Sequence, residues 1–233
     1  MSETTSLTTY LSDRKRQRLE SGEADSLTTR RFNVVMCGVL AWGFLLNAAM
    51  VYFLGDMMMQ VAVRLKWWML LLAYLVPTFA GIFIAARSTN PFISFVGYNL
   101  VVLPIGLLLA MILPSVPVFI VTKAMAITAM VTLTMLVLAI VMPQFFLGLG
   151  RTLLVALIVG LLAEVVATFL LGYRGMLFDW LFVILFSGYI GYDVSRSQAF
   201  PKTLDNAVDS ALDIYLDIIN LFIRLLSILS RNN

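Results

Sequence analysis

The chain has 233 residues, of which 61% are hydrophobic and only 12% are charged, and its mean hydropathy is +0.96. Soluble domains carry about 25% charged residues, so this composition excludes an ordinary soluble protein and indicates a polytopic membrane protein. The sequence has no histidine and a single cysteine, Cys37. These counts exclude His-dependent zinc sites, histidine-based catalytic pairs and a disulfide within the chain. The net charge of +3 gives no reason to expect nucleic-acid binding.

Residues 1–31 form a polar, basic N-terminal tail with six basic and five acidic residues. The tail has no apolar core of the kind found in signal peptides, so we expect it not to be cleaved. Beyond it, the sequence is dominated by apolar runs near the length of about 20 residues that crosses a bilayer as a helix. Six strong runs and a weaker seventh lie at roughly 32–55, 67–86, 92–113, 118–142, 151–172, 176–193 and 206–230.

The connections between the runs are short, and prolines mark several points where a helix cannot continue. No linker is long enough to separate two domains. We therefore predict an all-α membrane protein with one seven-helix domain over residues 32–230.

The distribution of basic residues predicts the orientation in the cell membrane. With the N-terminus inside, the inner loops carry Arg87, Arg151, Arg196 and Lys202, against Arg64, Lys66 and Arg174 outside. The loops are nearly balanced, so the six basic residues of the tail decide the orientation. Since cytoplasmic segments are enriched in Lys and Arg, we predict a cytoplasmic N-terminus.

Three aspartates, Asp209, Asp213 and Asp217, follow one another at intervals of four residues in the seventh run. Four residues advance a helix by about 400°, so these acids form one stripe. Arg224 continues this stripe seven residues beyond Asp217. An interfacial anchor usually has a basic polar face, whereas this face is acidic and therefore favours the interior of a helix bundle.

Ionisable residues inside a membrane are rare and commonly functional, but each acid has an alternative interpretation. Asp209 lies near the start of its helix and suits a capping or solvated role, and Asp213 suits either a hydrated pore mouth or the functional stripe. Asp217 lies deeper, where function is favoured. Asp193 ends the sixth run, as a boundary residue or a functional one. Glu164, in the middle of the fifth run, must be paired or protonated.

Two segments resemble the signature of a known family. Gly-Tyr-Asp at 191–193 precedes Tyr-Leu-Asp-Ile-Ile-Asn-Leu-Phe-Ile at 215–223, and together they resemble the motif of the Bax inhibitor-1 family (transmembrane Bax inhibitor motif proteins). The resemblance implies seven transmembrane helices, the seventh central and surrounded by the other six. It also implies that Asp193 and Asp217 face each other in the membrane. The resemblance further implies that a basic residue near the cytoplasmic end of the second helix engages the closed pore, and Arg87 is the matching candidate.

Bacterial relatives in this family are associated with a pH-sensitive calcium leak, and elementary electrostatics gives such a leak a mechanism. Two carboxyl groups in a low-dielectric site share a proton, because two adjacent negative charges are costly. At higher pH both ionise, repel each other and offer oxygen ligands to Ca²⁺. We therefore expect a passive leak through Asp193 and Asp217, approached by Asp213 and Asp209, with Glu164 and Arg224 as secondary candidates. Calcium is the permeating ion, Asp193 and Asp217 its transient ligands, and no tightly bound cofactor is expected.

Three other functions remain open at the level of sequence. A proton-coupled transporter would relay protons along the acids, although no inverted repeat is visible. An intramembrane aspartyl hydrolase would also use a proton-sharing pair, but its Gly-x-Gly-Asp motif is missing, so we expect no enzyme activity. A regulatory scaffold would act through protein partners that the sequence does not identify; lipid, protons and calcium ions are the partners expected here.

Overall fold

The computed structural model describes residues 26–170, 172 and 175–231, so most of the predicted N-terminal tail lies outside the described residues. All regular structure within these residues is helical, and this confirms the predicted fold class. The helices are α1 (Thr29–Arg64), α2 (Trp67–Arg87), α3 (Pro91–Ile112), α4 (Val118–Val141), α5 (Pro143–Leu170), α6 (Met176–Ala199) and α7 (Leu204–Arg231), with a 3-10 turn at Leu113–Ser115.

Two predicted boundaries are wrong by more than two turns. Helix α5 begins at Pro143, eight residues before the predicted start, because proline is favoured in the first turn and the two glycines that follow do not interrupt the helix. Arg151, counted above as a loop charge, therefore lies within α5. Helix α1 continues to Arg64, nine residues beyond the predicted end, since the polar residues after Gly55 remain helical.

Six of the seven helices, α1 to α6, are long and apolar enough to cross a membrane. The exception among the described helices is α7, which carries the aspartate stripe and two arginines. Its 28 residues nonetheless give a length of about 42 Å. The seven predicted runs therefore correspond to seven helices, of which six meet the criteria for a span by composition.

Helix α7 is the most buried helix in the described part of the chain. It packs against α1, α3, α4 and α6, and sixteen of its 28 residues are buried. Helix α5 has the same length but buries only three residues. The exposed surfaces of the outer helices carry large apolar side chains such as Phe53, Phe79, Met130 and Leu162. The bundle thus places its acidic helix inside and its apolar surface outside.

A short connection sets the position of α7 relative to α6. Pro201 follows the end of α6, and the Lys202 ammonium donates hydrogen bonds to the carbonyls of Ser197 and Gln198, at 2.9 and 2.7 Å. Burial lowers the pKa of Lys202. Thr203 then caps α7 by accepting a hydrogen bond from the Asn206 N–H. Both helix ends are therefore satisfied within a four-residue turn.

Helices α6 and α7 run antiparallel along their full lengths. Near the end of α6, Arg196 contacts Asp213 in the first half of α7. Near the start of α6, Asp179 contacts Ser227 and Arg231 in the last turns of α7. This register brings the acids of α6 level with the charged residues of α7.

Candidate functional site

The two aspartates of the motif lie against each other. Asp193 on α6 is 8% exposed and Asp217 on α7 is 7% exposed, and their carboxyl groups lie close enough to interact directly. Apart from this contact, no donor among the described residues reaches Oδ2 of Asp217. Because a carboxylate has no hydrogen to donate, a hydrogen bond between two carboxyl groups requires one shared proton. The arrangement therefore suits a pair of acids that shares one proton.

A layer of polar aromatic contacts fixes α7 beside this pair. Tyr215, two residues before Asp217, is fully buried, and its hydroxyl accepts a hydrogen bond from the Asn47 amide on α1. Tyr98 on α3 lies edge-on to Tyr215, and its own hydroxyl donates to the Val39 carbonyl on α1. The sequence identified Tyr215 only as one residue of the family motif and assigned it no contact. In the fold it ties α7 to two neighbouring helices.

Arg196 connects the pair to the acidic stripe. Its Nη1 lies 3.6 Å from Oδ1 of Asp193 and 3.4 Å from Oδ2 of Asp213, and its guanidinium packs on the Phe200 ring. Sequence analysis treated Arg196 as a loop charge and missed this role. The available signal was its position three residues after Asp193, which places the two side chains on one face of a helix.

Arg87, the predicted closed-state latch, is the last residue of α2. Its guanidinium lies 3.8 Å from the centre of the Phe83 ring. The two residues before it, Ala85 and Ala86, line the cavity described next. The role of Arg87 as a latch stays a prediction.

A cavity of about 150 Å³ lies between α2, α6 and α7. It exists because α2 packs mainly on α3 and leaves a gap beside α7. The charged residues that line the cavity are Asp209, Asp213 and Arg196. Asp217 lies one turn further along α7. The cavity lining comprises Ile82, Ala85, Ala86, Arg196, Phe200, Asn206, Asp209, Ser210, Leu212 and Asp213.

The secondary candidates Glu164 and Arg224 form a separate cluster two turns beyond Asp217. Arg224 binds both carboxylate oxygens of Glu164, at 2.6 and 2.8 Å, and Oδ1 of Asp179 at 3.1 Å. Glu164 is therefore paired, as one of its two interpretations required. Sequence reasoning missed Asp179, which is 3% exposed, and Arg231, which contacts it. No spacing within one run could identify a contact that joins three helices.

The described residues contain no group of three or more acidic or cysteine side chains that could hold a metal ion. Asp193 and Asp217 alone offer two carboxylates, whereas Ca²⁺ prefers six to eight oxygen ligands. The donor set suits a hydrated ion in passage better than a tightly bound one.

Comparison with known proteins covers nearly all of the described fold. The family model described as "Inhibitor of apoptosis-promoting Bax1" matches residues 30–233. An uncharacterised protein of Helicobacter pylori strain J99 is 31% identical over 193 residues, or 80% of this chain and 81% of the relative. An uncharacterised protein of strain 26695 is 30% identical over 193 residues, with the same coverage of both chains. The matched region extends from the first turn of α1 to the end of α7.

Proposed function

Because the chain belongs to the Bax inhibitor family, as its α6–α7 motif indicated, we propose that it is a passive, pH-sensitive cation leak. Calcium is the proposed permeating ion. The observation that carries the proposal is the buried pair of Asp193 and Asp217, which face each other on two helices of the bundle. Two facing acids are costly in such a setting, and ionisable residues inside a membrane commonly mark a functional site.

In this proposal α7 is the seventh span of the bundle. Its length of about 42 Å exceeds the roughly 30 Å of hydrocarbon. It also runs beside α6, itself long and apolar enough to span, from one end to the other. Its charges are tolerated because they face other helices and the cavity, where they find partners. With the N-terminus in the cytoplasm, the cavity between α2, α6 and α7 opens toward the cytoplasm.

The pair acts as the gate of the leak. At lower pH the shared proton joins Asp193 to Asp217 and holds α7 against α6. At higher pH both carboxyl groups ionise, and their repulsion loosens the contact while providing oxygen ligands for a cation. Arg196 supports this step because its positive charge, 3.6 Å from Asp193, stabilises the ionised carboxylate.

The cavity is the approach to the gate. Asp209 and Asp213 line it, and their negative charge raises the local concentration of cations. Arg87 follows the two alanines that line the α2 wall, which supports a role in closing the same cavity. Nothing in this route couples one ion to another, so the flux follows existing gradients.

The decisive experiment measures calcium flux into liposomes over a pH series for wild type, Asp193→Asn and Asp217→Asn. Asparagine keeps the size of the side chain but does not ionise. Both variants should lose the rise in flux with pH and stay near the level of empty liposomes. Asp56→Asn, which changes an exposed aspartate on α1, is the matched control and should behave as wild type. Unchanged flux and pH dependence in both pair variants would refute the proposal.

A further inference from the structure

Arg224 lies at the centre of a closed network of charges on α5, α6 and α7. Its guanidinium binds Glu164 through both oxygens and Asp179 through Oδ1, and it packs on the Phe182 ring at 4.3 Å. The second oxygen of Asp179 accepts a hydrogen bond from Ser227 at 3.1 Å and forms an ion pair with Nη1 of Arg231 at 3.2 Å. Every carboxylate oxygen of the two acids is therefore occupied.

The network is balanced in charge, with two acids against two arginines. The guanidinium of arginine stays protonated in proteins, so Arg224 keeps its positive charge at a pH where the aspartate pair gains or loses a proton. Without Arg224, Arg231 would remain on Asp179, and Glu164 would have no cation partner among these four residues. Two carboxylates brought together by α5 and α6 would then offer hard oxygen ligands to a divalent cation.

Arg224 also lies in line with the proposed gate. Seven residues separate it from Asp217, which corresponds to about 10 Å along the helix and a rotation of about 20° short of two full turns. Both residues therefore face the same side of α7. A cation that passed Asp217 along this face would next meet the Arg224 guanidinium, which is held between Glu164 and Asp179.

We propose that Arg224 is the specificity-determining residue of the leak, a tethered cation that occupies the position between Glu164 and Asp179 where a divalent ion would otherwise bind. This inference rests on the proposed leak for its flux readout. The guanidinium limits the passage of cations beyond the aspartate pair, and it does so more strongly for divalent ions. Arg224 lies about 10 Å from Asp217 along α7. With an effective dielectric constant near 20, one unit charge at this distance changes the occupancy of the Asp217 position by a monovalent cation by about tenfold. The same charge changes the occupancy by a divalent cation by about a hundredfold.

The first test compares potassium and calcium flux in liposomes for wild type and Arg224→Gln. The variant should raise both fluxes, and calcium flux by about ten times more than potassium flux. Arg224→Met, whose apolar side chain can still pack on Phe182, should do the same. Arg224→Lys keeps the charge and should stay near wild type. The control Arg64→Gln removes an exposed arginine at the end of α1 and should change neither flux. Equal fluxes for wild type, Arg224→Gln and Arg224→Met would overturn the inference.

The second test does not depend on flux. In detergent, calcium should raise the melting temperature of Arg224→Gln more than that of wild type, and this gain should persist in an Asp217→Asn background. The double variant Glu164→Gln/Arg224→Gln should lose the gain because one of the two carboxylates is gone. If calcium stabilises Arg224→Gln no more than wild type, Arg224 does not occupy a cation position. The melting temperature can be measured whether or not the protein conducts calcium. The proposed leak can therefore be refuted while the inference about Arg224 stands, and the reverse is also true.

Discussion

At the scale of single residues, the site is defined by one basic residue placed between acids of two helices. Arg196 contacts Asp193 on its own helix and Asp213 on α7, at 3.6 and 3.4 Å. Its side chain is 38% exposed, so the interaction is partly screened by solvent. Arg196 is therefore placed to adjust the ionisation of the proposed gate.

Replacement of Arg196 by glutamine should move the rise of calcium flux to higher pH. The positive charge beside Asp193 favours the ionised carboxylate, and its removal makes ionisation of the pair more difficult. Arg196→Lys keeps the charge and should show a smaller displacement. The measurement is liposome flux over a pH series. An unchanged midpoint in Arg196→Gln would show that Asp193 ionises independently of its neighbour.

The sequence predicted some of these residues and missed others for a physical reason. Asp193 and Asp217 belong to a local motif, and the contact between them was implied by family resemblance. Asp179 was missed because its partners lie on another helix, and so was the contact of Arg196 with Asp213. The distance between Asp179 and Arg231 depends on the antiparallel register of α6 and α7, which the apolar pattern of either run does not contain.

At the scale of elements, the close packing of α2 on α3 shapes the cavity. A Cβ atom on Gly97 would lie 2.7 Å from the Gly81 carbonyl oxygen and 2.9 Å from the Ala85 amide nitrogen. Backbones approach this closely only through small residues, as is common between membrane helices. Since α2 is held on α3, the cavity beside α7 stays open.

The Gly97→Ala variant should therefore destabilise the protein. The added methyl group meets backbone atoms that cannot move without displacing α2, and overpacking of this kind costs about 1–3 kcal/mol. Gly148→Ala on α5 is the matched control, because a Cβ there meets nothing within 4 Å. The control should be neutral or stabilising by up to about 1 kcal/mol. Thermal unfolding in detergent measures both variants, and equal melting temperatures would contradict the role of this contact.

At the scale of the whole molecule, charges are sorted to the inside and apolar side chains to the outside. Helix α7 carries the acids and is buried, whereas α5 presents an apolar surface and buries little. Such a surface is unfavourable in water and favourable in lipid. The bundle is therefore organised for a membrane, with its acidic helix α7 in the interior.

If α7 crosses the membrane as proposed, the two ends of the described bundle lie on opposite sides of it. In a Cys37→Ala background, Ser26→Cys precedes α1 and Ser230→Cys lies in the last turn of α7. A membrane-impermeant maleimide should label Ser230→Cys in intact cells and Ser26→Cys only after permeabilisation. Labelling of both from the same side would show that α7 does not cross. Labelling in the reverse order would show that the N-terminus is outside.

The sequence by itself determined the environment and the secondary structure of this protein. Composition and the length of the apolar runs are local properties, and they predicted a helical membrane protein. The α6–α7 motif predicted the family through a resemblance that the family model confirmed. Charge pairing was different, because it depends on distances between helices. Only the tertiary structure joined Arg224 to Glu164 and Asp179, placed Arg196 between two acids and opened a cavity beside the aspartate stripe. Those contacts follow from helix register and packing, which no single run specifies.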